Sequence, residues 1–131
     1  MIIVKNKIIP FKGMVATTIF PFVFCRRDLT DVEKNHEGIH LAQELEVMVC
    51  SLLVIAAVVI VSHLSAWWLL LSLVMFYLWY FVEYVVRLII CRDSHKAYRS
   101  IAFEQEAYLN EQDLLYLPKH RKAFAWVKYI V

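Results

Sequence analysis

The chain has 131 residues, of which 61% are hydrophobic and 15% aromatic, with two glycines and three prolines. This length fits one domain, residues 1–131. A net charge of +2 at pH 7 excludes a strongly basic nucleic-acid-binding surface, and the basic residues fit attraction to anionic lipid better. The three cysteines, Cys25, Cys50 and Cys91, are odd in number and lack metal-ligand spacing, which favours reduced thiols in a cytoplasmic or membrane setting.

Residues 1–29 predict strands. The apolar runs Ile2 to Val4 and Ile8 to Ile9 flank the polar sequence Lys5-Asn6-Lys7, which predicts a small β-hairpin. The same lysines interrupt the apolar residues, so we do not expect a signal peptide here.

A second stretch with strand character follows the breaks at Pro10 and Gly13. Val15 to Phe24 is rich in β-branched and aromatic residues, and Pro21 within it indicates an edge strand or a bulge. Extended peptides bind to such an edge by adding a strand. The strands therefore predict either a substrate-binding edge or a small lid without a substrate role.

A long helix is predicted from Asp31 to about His63. Thr30 or Asp31 is a suitable N-cap, and with Thr30 in that place Glu33 stands at the capping-box position. Between Thr30 and His63 there is no proline, and one glycine alone interrupts the good helix formers. The polar first half of this helix is therefore continuous with an apolar second half.

The polar half contains the sequence His36-Glu37-Gly38-Ile39-His40. Residues four apart project from one face of a helix, so both imidazoles can reach one metal ion, and Glu37 can contact a water held there. The alternative is a pair of surface histidines at a polar helix start.

Two uncharged runs follow, Val47 to Val61 and Leu64 to Val82, separated only by Ser62-His63. Each is close to the length that crosses a bilayer, and a chain this small cannot cover both helices as a soluble core. We therefore predict a transmembrane hairpin of two helices, residues 31–63 and 64–92. Since all lysines and arginines lie outside the hairpin tip, the termini and the metal motif are predicted to be cytoplasmic.

A third helix is predicted over residues 95–112, and the basic, aromatic tail 119–131 predicts an interfacial segment on anionic lipid or an element packed on the domain.

A catalytic zinc site needs a third protein ligand. A third histidine six residues after His40 is absent, because Glu46 stands there. The remaining candidates are downstream carboxylates, His95 and His120, since His63 lies at the far tip of the hairpin. The sequence from Phe103 to Tyr108, with Glu104 and Glu106, is the main candidate.

An HExxH motif followed by a glutamate on a later helix resembles the gluzincin metallopeptidases. Among these, the CAAX-prenyl-protease and HtpX-like families place HExxH beside a transmembrane helix on the cytoplasmic side. Their third ligand begins a Glu-x-x-Ala-Asp motif, which is similar to Glu104-Gln105-Glu106-Ala107-Tyr108, with Tyr108 in place of Asp. The chain also looks like small bacterial membrane proteins that carry NHE..H.AQ and FE.EAY helices.

The resemblance implies a mainly α-helical membrane protein of the bacterial inner membrane, with a minimal gluzincin-like site. It implies Zn²⁺ held by His36, His40 and Glu104, with Glu106 as the fallback ligand. Glu37 is then the general base of peptide-bond hydrolysis near the cytoplasmic membrane face, and Tyr108 a candidate for orienting a ligand or stabilising the oxyanion.

The implied partners are membrane lipid and a peptide or protein substrate, and the oligomeric state stays open. The competing function is a non-catalytic zinc-binding membrane protein that acts as an interaction or regulatory module. A di-iron site is a weaker alternative, because the two Glu-x-x-His sequences lie on adjacent turns of one helix and a dimer would have to supply the second helix.

Overall fold

A computed structural model describes residues 1–6, 8–9 and 15–130. The predicted turn residue Lys7 and the predicted breaks at Pro10 and Gly13 lie outside the described residues. The protein is mainly helical with a small three-stranded sheet in its N-terminal part, so the predicted helical class is confirmed. Two compact units are present: Met1–Ala42 with Ala102–Val131, and Gln43–Ile101.

The sheet contains β1 (Ile2–Lys5), β2 (Ala16–Ile19) and β3 (Phe22–Cys25), in the order β1-β3-β2. β2 and β3 form an antiparallel hairpin, whereas β1 pairs with β3 in parallel, with Ile2 opposite Phe22. Within the described sheet, β2 is therefore an edge strand.

The predicted pairing of Ile2 to Val4 with Ile8 and Ile9 is wrong. Ile8 and Ile9 form a bend, and Ile8 is 83% exposed. The physical reason is Asn6, whose Oδ1 accepts hydrogen bonds from the backbone N–H groups of Ile8 (2.9 Å) and Ile9 (2.8 Å). A side chain that binds the following amides in this way offers the backbone an alternative to a strand ladder.

Helix α1 (Asp31–Val61) begins where the sequence predicts. Thr30 Oγ1 accepts from the Glu33 N–H at 3.2 Å, and Glu33 Oε2 accepts from the Thr30 N–H at 2.8 Å, which completes a capping box. The hydrogen bond from Arg27, followed by that from the Thr30 amide, lowers the pKa of Glu33 from 4.5 to about 2. A cap of this kind contributes about 0.5–2 kcal/mol to helix stability.

Helix α1 is long and apolar enough to cross a membrane, and only 6% of its most apolar window is buried within the protein. The second predicted span differs from the expected single helix. It consists of a 3-10 helix (Ala66–Leu73) and α2 (Met75–Cys91), bent by 54°. Ser72 Oγ donates to the Leu69 carbonyl at 2.8 Å, and such back-bonding to the preceding turn bends helices.

In the second unit, polar side chains are buried. The Tyr77 hydroxyl donates to Glu44 Oε1 at 3.0 Å, and Glu44 is 4% exposed. Arg87 pairs with Glu83 at 3.3 Å, one turn apart on α2, with about a tenth of each side chain exposed. These groups therefore contact protein, while many of the large apolar side chains of the same unit are exposed.

The third predicted helix, 95–112, is divided into α3 (Ser94–Arg99) and α4 (Ala102–Asn110). Helix α3 ends at Ser100, where the hydrogen bonds tighten to the 3-10 pattern: the Ser100 N–H also donates to the Ala97 carbonyl, and the Ile101 N–H donates to the Tyr98 carbonyl, each three residues back. The prediction of one continuous helix was wrong because this local hydrogen bonding competes with the α-helical ladder.

The sheet packs against the polar half of α1. Val23, Cys25, Leu29 and Leu41 form a buried cluster, with Ala16 packed against it. Burial of an aliphatic side chain of this size contributes about 1.5–3 kcal/mol. This cluster fixes the sheet beside the helix that carries the HExxH motif.

A second cluster joins Ile39 of α1 to Ala107 and Tyr116, with Leu117 packed against it. A Cβ atom added at Gly38 would lie 2.7 Å from Leu117 Cδ1. Glycine inside the HExxH motif therefore permits the close approach of the C-terminal segment to α1.

Part of the predicted interfacial tail packs on the protein, but most of its described residues, 119–130, are exposed, so contact of the tail with lipid stays a prediction. A π-helical turn (Tyr116–His120) and a 3-10 helix (Ala125–Tyr129) follow α4. Trp126 is 6% exposed and its ring centroid lies 4.6 Å from that of Phe103. Burial of this aromatic pair accounts for the position of the segment.

Candidate metal centre

Three side chains that can bind a metal converge in the first unit: His36 and His40 on α1, and Glu104 on α4. The two Nε2 atoms are 3.1 Å apart. Glu104 Oε2 lies 3.7 Å from His36 Nε2, and Oε1 lies 3.5 Å from His40 Nε2. The four-residue spacing on α1 brings both imidazoles to the face opposite Glu104.

These separations fit a shared tetrahedral ion. Nitrogen and oxygen ligands about 2.0–2.1 Å from zinc in tetrahedral geometry are about 3.3 Å from one another. The distance of 3.1 Å between the imidazoles is close to that value. Glu104 approaches each imidazole with a different oxygen, at 3.5 and 3.7 Å, which is longer than an ordinary hydrogen bond. Glu104 has only 3% of its side chain exposed, and a carboxylate buried to this degree requires compensating positive charge or hydrogen bonds. The group can therefore bind a metal.

Among the residues that the structure describes, the group has three members. The candidate ligand His120 lies outside it and instead pairs through Nδ1 with Asp113 Oδ2 at 2.7 Å, which lowers the pKa of Asp113. Three protein ligands leave one tetrahedral position for water or substrate, as catalytic zinc sites do, whereas structural sites are closed by a fourth protein ligand.

The fallback ligand Glu106 has different contacts. Its side chain is fully buried, and its Oε1 accepts hydrogen bonds from Arg121 Nε at 2.7 Å and from the Tyr116 hydroxyl at 3.1 Å. Burial, then the adjacent carboxylate, raises the pKa of Tyr116. Glu106 therefore fixes the C-terminal segment to α4, and Glu104 is the glutamate that faces the histidines.

Glu37, the predicted general base, lies one residue beyond His36 and contacts the sheet. The Thr18 hydroxyl on the edge strand β2 donates to Glu37 Oε2, and Thr18 is 8% exposed. This hydrogen bond fixes one carboxylate oxygen of Glu37. No pattern in the sequence indicates Thr18, because the contact depends on how the sheet packs on α1.

Tyr108, the predicted candidate for a supporting role, lies beside the first histidine. Its ring packs edge-on against the His36 imidazole, with centroids 4.9 Å apart. The two histidine rings are also edge to face, at 4.8 Å. Tyr108 therefore contributes to the packing that limits rotation of His36.

Sequence reasoning missed Glu111 and Asn35. Glu111 Oε2 lies 2.8 Å from His36 Nδ1, and Asn35 is buried beside the loop that carries Glu111. Glu111 follows Glu104 by seven residues, a spacing of two helical turns that places both side chains on one face. That periodicity is the signal that could have identified it.

Searches against protein-family models, curated proteins and solved structures find no match. The resemblance to gluzincins therefore depends on the short motifs at residues 36–40 and 104–108. The geometry of the three side chains, together with Glu37, is the independent argument for the chemistry of the site.

Proposed function

We propose that this protein is a membrane-embedded zinc metallopeptidase of gluzincin type that hydrolyses peptide bonds near the cytoplasmic membrane face. The observation that carries the proposal is the three-ligand group His36, His40 and Glu104, with tetrahedral separations and a carboxylate, Glu37, directly after the first histidine. A group with one open position and an adjacent base is the minimum for metal-assisted hydrolysis.

The protein groups have distinct roles in this proposal. Zinc, when bound, polarises the scissile carbonyl and lowers the pKa of the water that it holds. Glu37 accepts the proton from that water at Oε1 and later returns it to the leaving amine. Thr18 donates to the other oxygen, Oε2, so the carboxylate keeps one orientation. Tyr108 and the packing around His36 restrict the ligand ring.

The sheet supports a peptide as the substrate. β2 is an edge strand, and its Thr18 contacts the proposed base directly. An extended peptide that adds a strand to this edge would run beside Glu37. The backbone of such a substrate supplies the hydrogen bonds, so the site suits peptide or protein segments of varied sequence.

The membrane location is supported by the inverted polarity of the second unit. Ile60 and Ile89 are 72% and 71% exposed, whereas Glu44 is 4% exposed. Large apolar side chains directed outwards with buried polar groups suit a lipid environment. We propose that α1 and the bent second segment form a two-span hairpin in a bacterial inner membrane, in contact with lipid. The concentration of lysine and arginine outside its tip orients the termini and the site to the cytoplasm.

Metal analysis of the purified full chain in detergent tests the site. We expect about one zinc per chain in the wild type and loss of zinc in His36→Ala and Glu104→Ala. His120→Ala is the matched control, because this histidine lies outside the group, and it keeps its zinc. If both ligand variants retain zinc at the wild-type level, the ligand assignment is wrong.

Peptide cleavage by Glu37→Gln tests the reaction. This variant retains zinc, and its cleavage of a peptide library falls at least about 100-fold, as expected for removal of a general base. A zinc-loaded wild type whose cleavage is unchanged in Glu37→Gln would instead indicate a non-catalytic zinc-binding module.

A further inference from the structure

The first histidine of the group has its second ring nitrogen occupied by a carboxylate. His36 Nδ1 lies 2.8 Å from Glu111 Oε2, and the two side chains are 12% and 22% exposed. An ionised carboxylate can only accept hydrogen bonds, so the proton of this contact belongs to Nδ1. The Nε2 atom, which faces His40 and Glu104, then carries the lone pair.

This proton arrangement determines what the site can bind. A neutral imidazole ligates through the nitrogen that carries no proton, and the hydrogen bond at the other nitrogen sets which one that is. His36 Nε2 lies 3.1 Å from His40 Nε2 and 3.7 Å from Glu104 Oε2, so a lone pair on His36 Nε2 is directed at the space that the three side chains share. His36 therefore has the tautomer that binds a metal through Nε2 even when no metal is bound.

The loop that carries Glu111 is held by the residue next to His36. Asn35 Nδ2 lies 3.2 Å from the Asn110 carbonyl, 2.9 Å from the Glu111 carbonyl and 3.0 Å from the Asp113 carbonyl. Asn35 is 8% exposed, so these contacts are shielded from water, and the two protons of its amide are shared among the three carbonyls. Since Asn35 and His36 are adjacent on α1, the same turn of helix supplies the ligand and anchors the loop.

The two carboxylates nearest His36 lie on α4 and directly after it. Glu104 lies in its first turn, and Glu111 directly follows its last residue, with the Glu111 N–H still donating to the Ala107 carbonyl at 2.8 Å. Glu111 therefore continues the helical path of α4, and the His36 ring lies between the two carboxylates, with Nδ1 bonded to Glu111 and Nε2 facing Glu104.

We infer that Glu111 is a positioning residue of the metal centre: held by Asn35, it fixes His36 in the Nδ1-protonated tautomer with Nε2 directed at the ion. This inference rests on the proposed zinc site but not on peptide hydrolysis. Groups that orient metal-ligating histidines in this way change metal affinity by about 10- to 100-fold.

Zinc affinity of the full chain in detergent, measured by competition with a chromophoric chelator, is the first test. We expect the Kd for zinc to rise about 10- to 100-fold in Glu111→Ala, and by less in Glu111→Gln, whose amide oxygen still accepts from Nδ1. Asp113→Asn is the matched control. It also removes one negative charge from this loop, but the carboxylate that it changes pairs with His120 and not with His36. Its Kd stays at the wild-type value.

The tautomer itself is the second readout and requires neither metal nor activity. Long-range ¹H–¹⁵N spectra of the metal-free chain at mildly alkaline pH should show His36 protonated at Nδ1 in the wild type and at Nε2 in Glu111→Ala. Asn35→Ala should shift His36 in the same direction, because it releases the loop. Glu111→Gln keeps the shape of the side chain and serves if the alanine variant fails to fold.

The outcomes separate this inference from the proposed function. A wild type that binds no zinc overturns both. A wild type that binds zinc, with Glu111→Ala and Glu111→Gln within about twofold of its Kd and His36 unchanged in tautomer, overturns the role of Glu111 alone.

Discussion

The buried ion pair between Arg121 and Glu106 makes a prediction that is independent of any activity. The Glu106 side chain is fully buried and that of Arg121 is 7% exposed, with Nε–Oε1 at 2.7 Å and Nη2–Oε2 at 3.4 Å. Removing one partner of such a pair leaves a buried charge uncompensated, which costs about 3–5 kcal/mol. We expect Arg121→Met to destabilise the C-terminal segment by that amount.

Hydrogen exchange of peptides that cover residues 116–130 measures this free energy, because it reports local opening. Lys122→Met is the matched control: it removes the same charge from an exposed neighbour and should change the opening free energy by less than about 0.5 kcal/mol. Replacing both partners, as Arg121→Met with Glu106→Leu, should restore most of the loss. The remaining deficit is about 1 kcal/mol from the Tyr116 hydroxyl, which loses this acceptor. If Arg121→Met exchanges like Lys122→Met, the pair does not hold the segment.

Two further predictions concern α1 and β2. The pKa of Glu33, lowered from 4.5 to about 2 mainly by the hydrogen bond from Arg27, means that the folded chain gains stability above about pH 4.5 and loses it as the pH falls towards 2. Between about pH 6 and pH 2.5, the free energy of unfolding in urea should fall by about 1 kcal/mol more in the wild type than in Glu33→Gln; equal falls would contradict this origin of the shift. Thr18→Val should lower the turnover number of peptide cleavage about tenfold without loss of zinc, because one hydrogen bond to Glu37 is worth about 1.4 kcal/mol. Thr18→Ser and the control Thr17→Val should keep the wild-type turnover number. A Thr18→Ser variant as slow as Thr18→Val would show that the hydroxyl is not what matters.

Features that depend on neighbours in the chain were predictable. The capping box of Thr30 and Glu33 and the spacing of His36 and His40 each lie within about one turn of a single helix, where geometry follows directly from sequence separation. The unbroken course of α1 follows for the same reason, since Asp31–Val61 contains no proline.

The strand pairing was not predictable from local pattern. Ile8 and Ile9 have the same strand propensity as Ile2 and Ile3, and only the Asn6 side chain, by binding their amides, removes them from the sheet. The parallel partner of β1 is β3, which is distant in sequence. The two-residue alternation of a strand indicates which side chains share a face, but it does not indicate which other strand pairs with it.

The sequence motif alone leaves two candidates for the third ligand. Glu104 and Glu106 are two residues apart, so they point about 200° apart around a helix and only one can face the histidines. The choice depends on the rotation of α4, which follows from Arg121 binding Glu106. The contact of Glu111 with His36 could not be predicted for the same reason: it depends on how the segment of Glu111 packs against α1, which carries His36.

The order in which the ligands occur along the chain has a consequence for biosynthesis. His40 and Glu104 are roughly 64 residues apart in the sequence, and both apolar segments lie between them. Both histidines and both apolar segments are therefore synthesised before the carboxylate, so a nascent or truncated chain carries an incomplete set of ligands. An ion that joins the two ends of this loop acts as a cross-link, and closing a loop of that length removes about 4 kcal/mol of chain entropy from the unfolded state. A complete set of ligands and the stabilisation that a bound ion supplies would then arise in the same step.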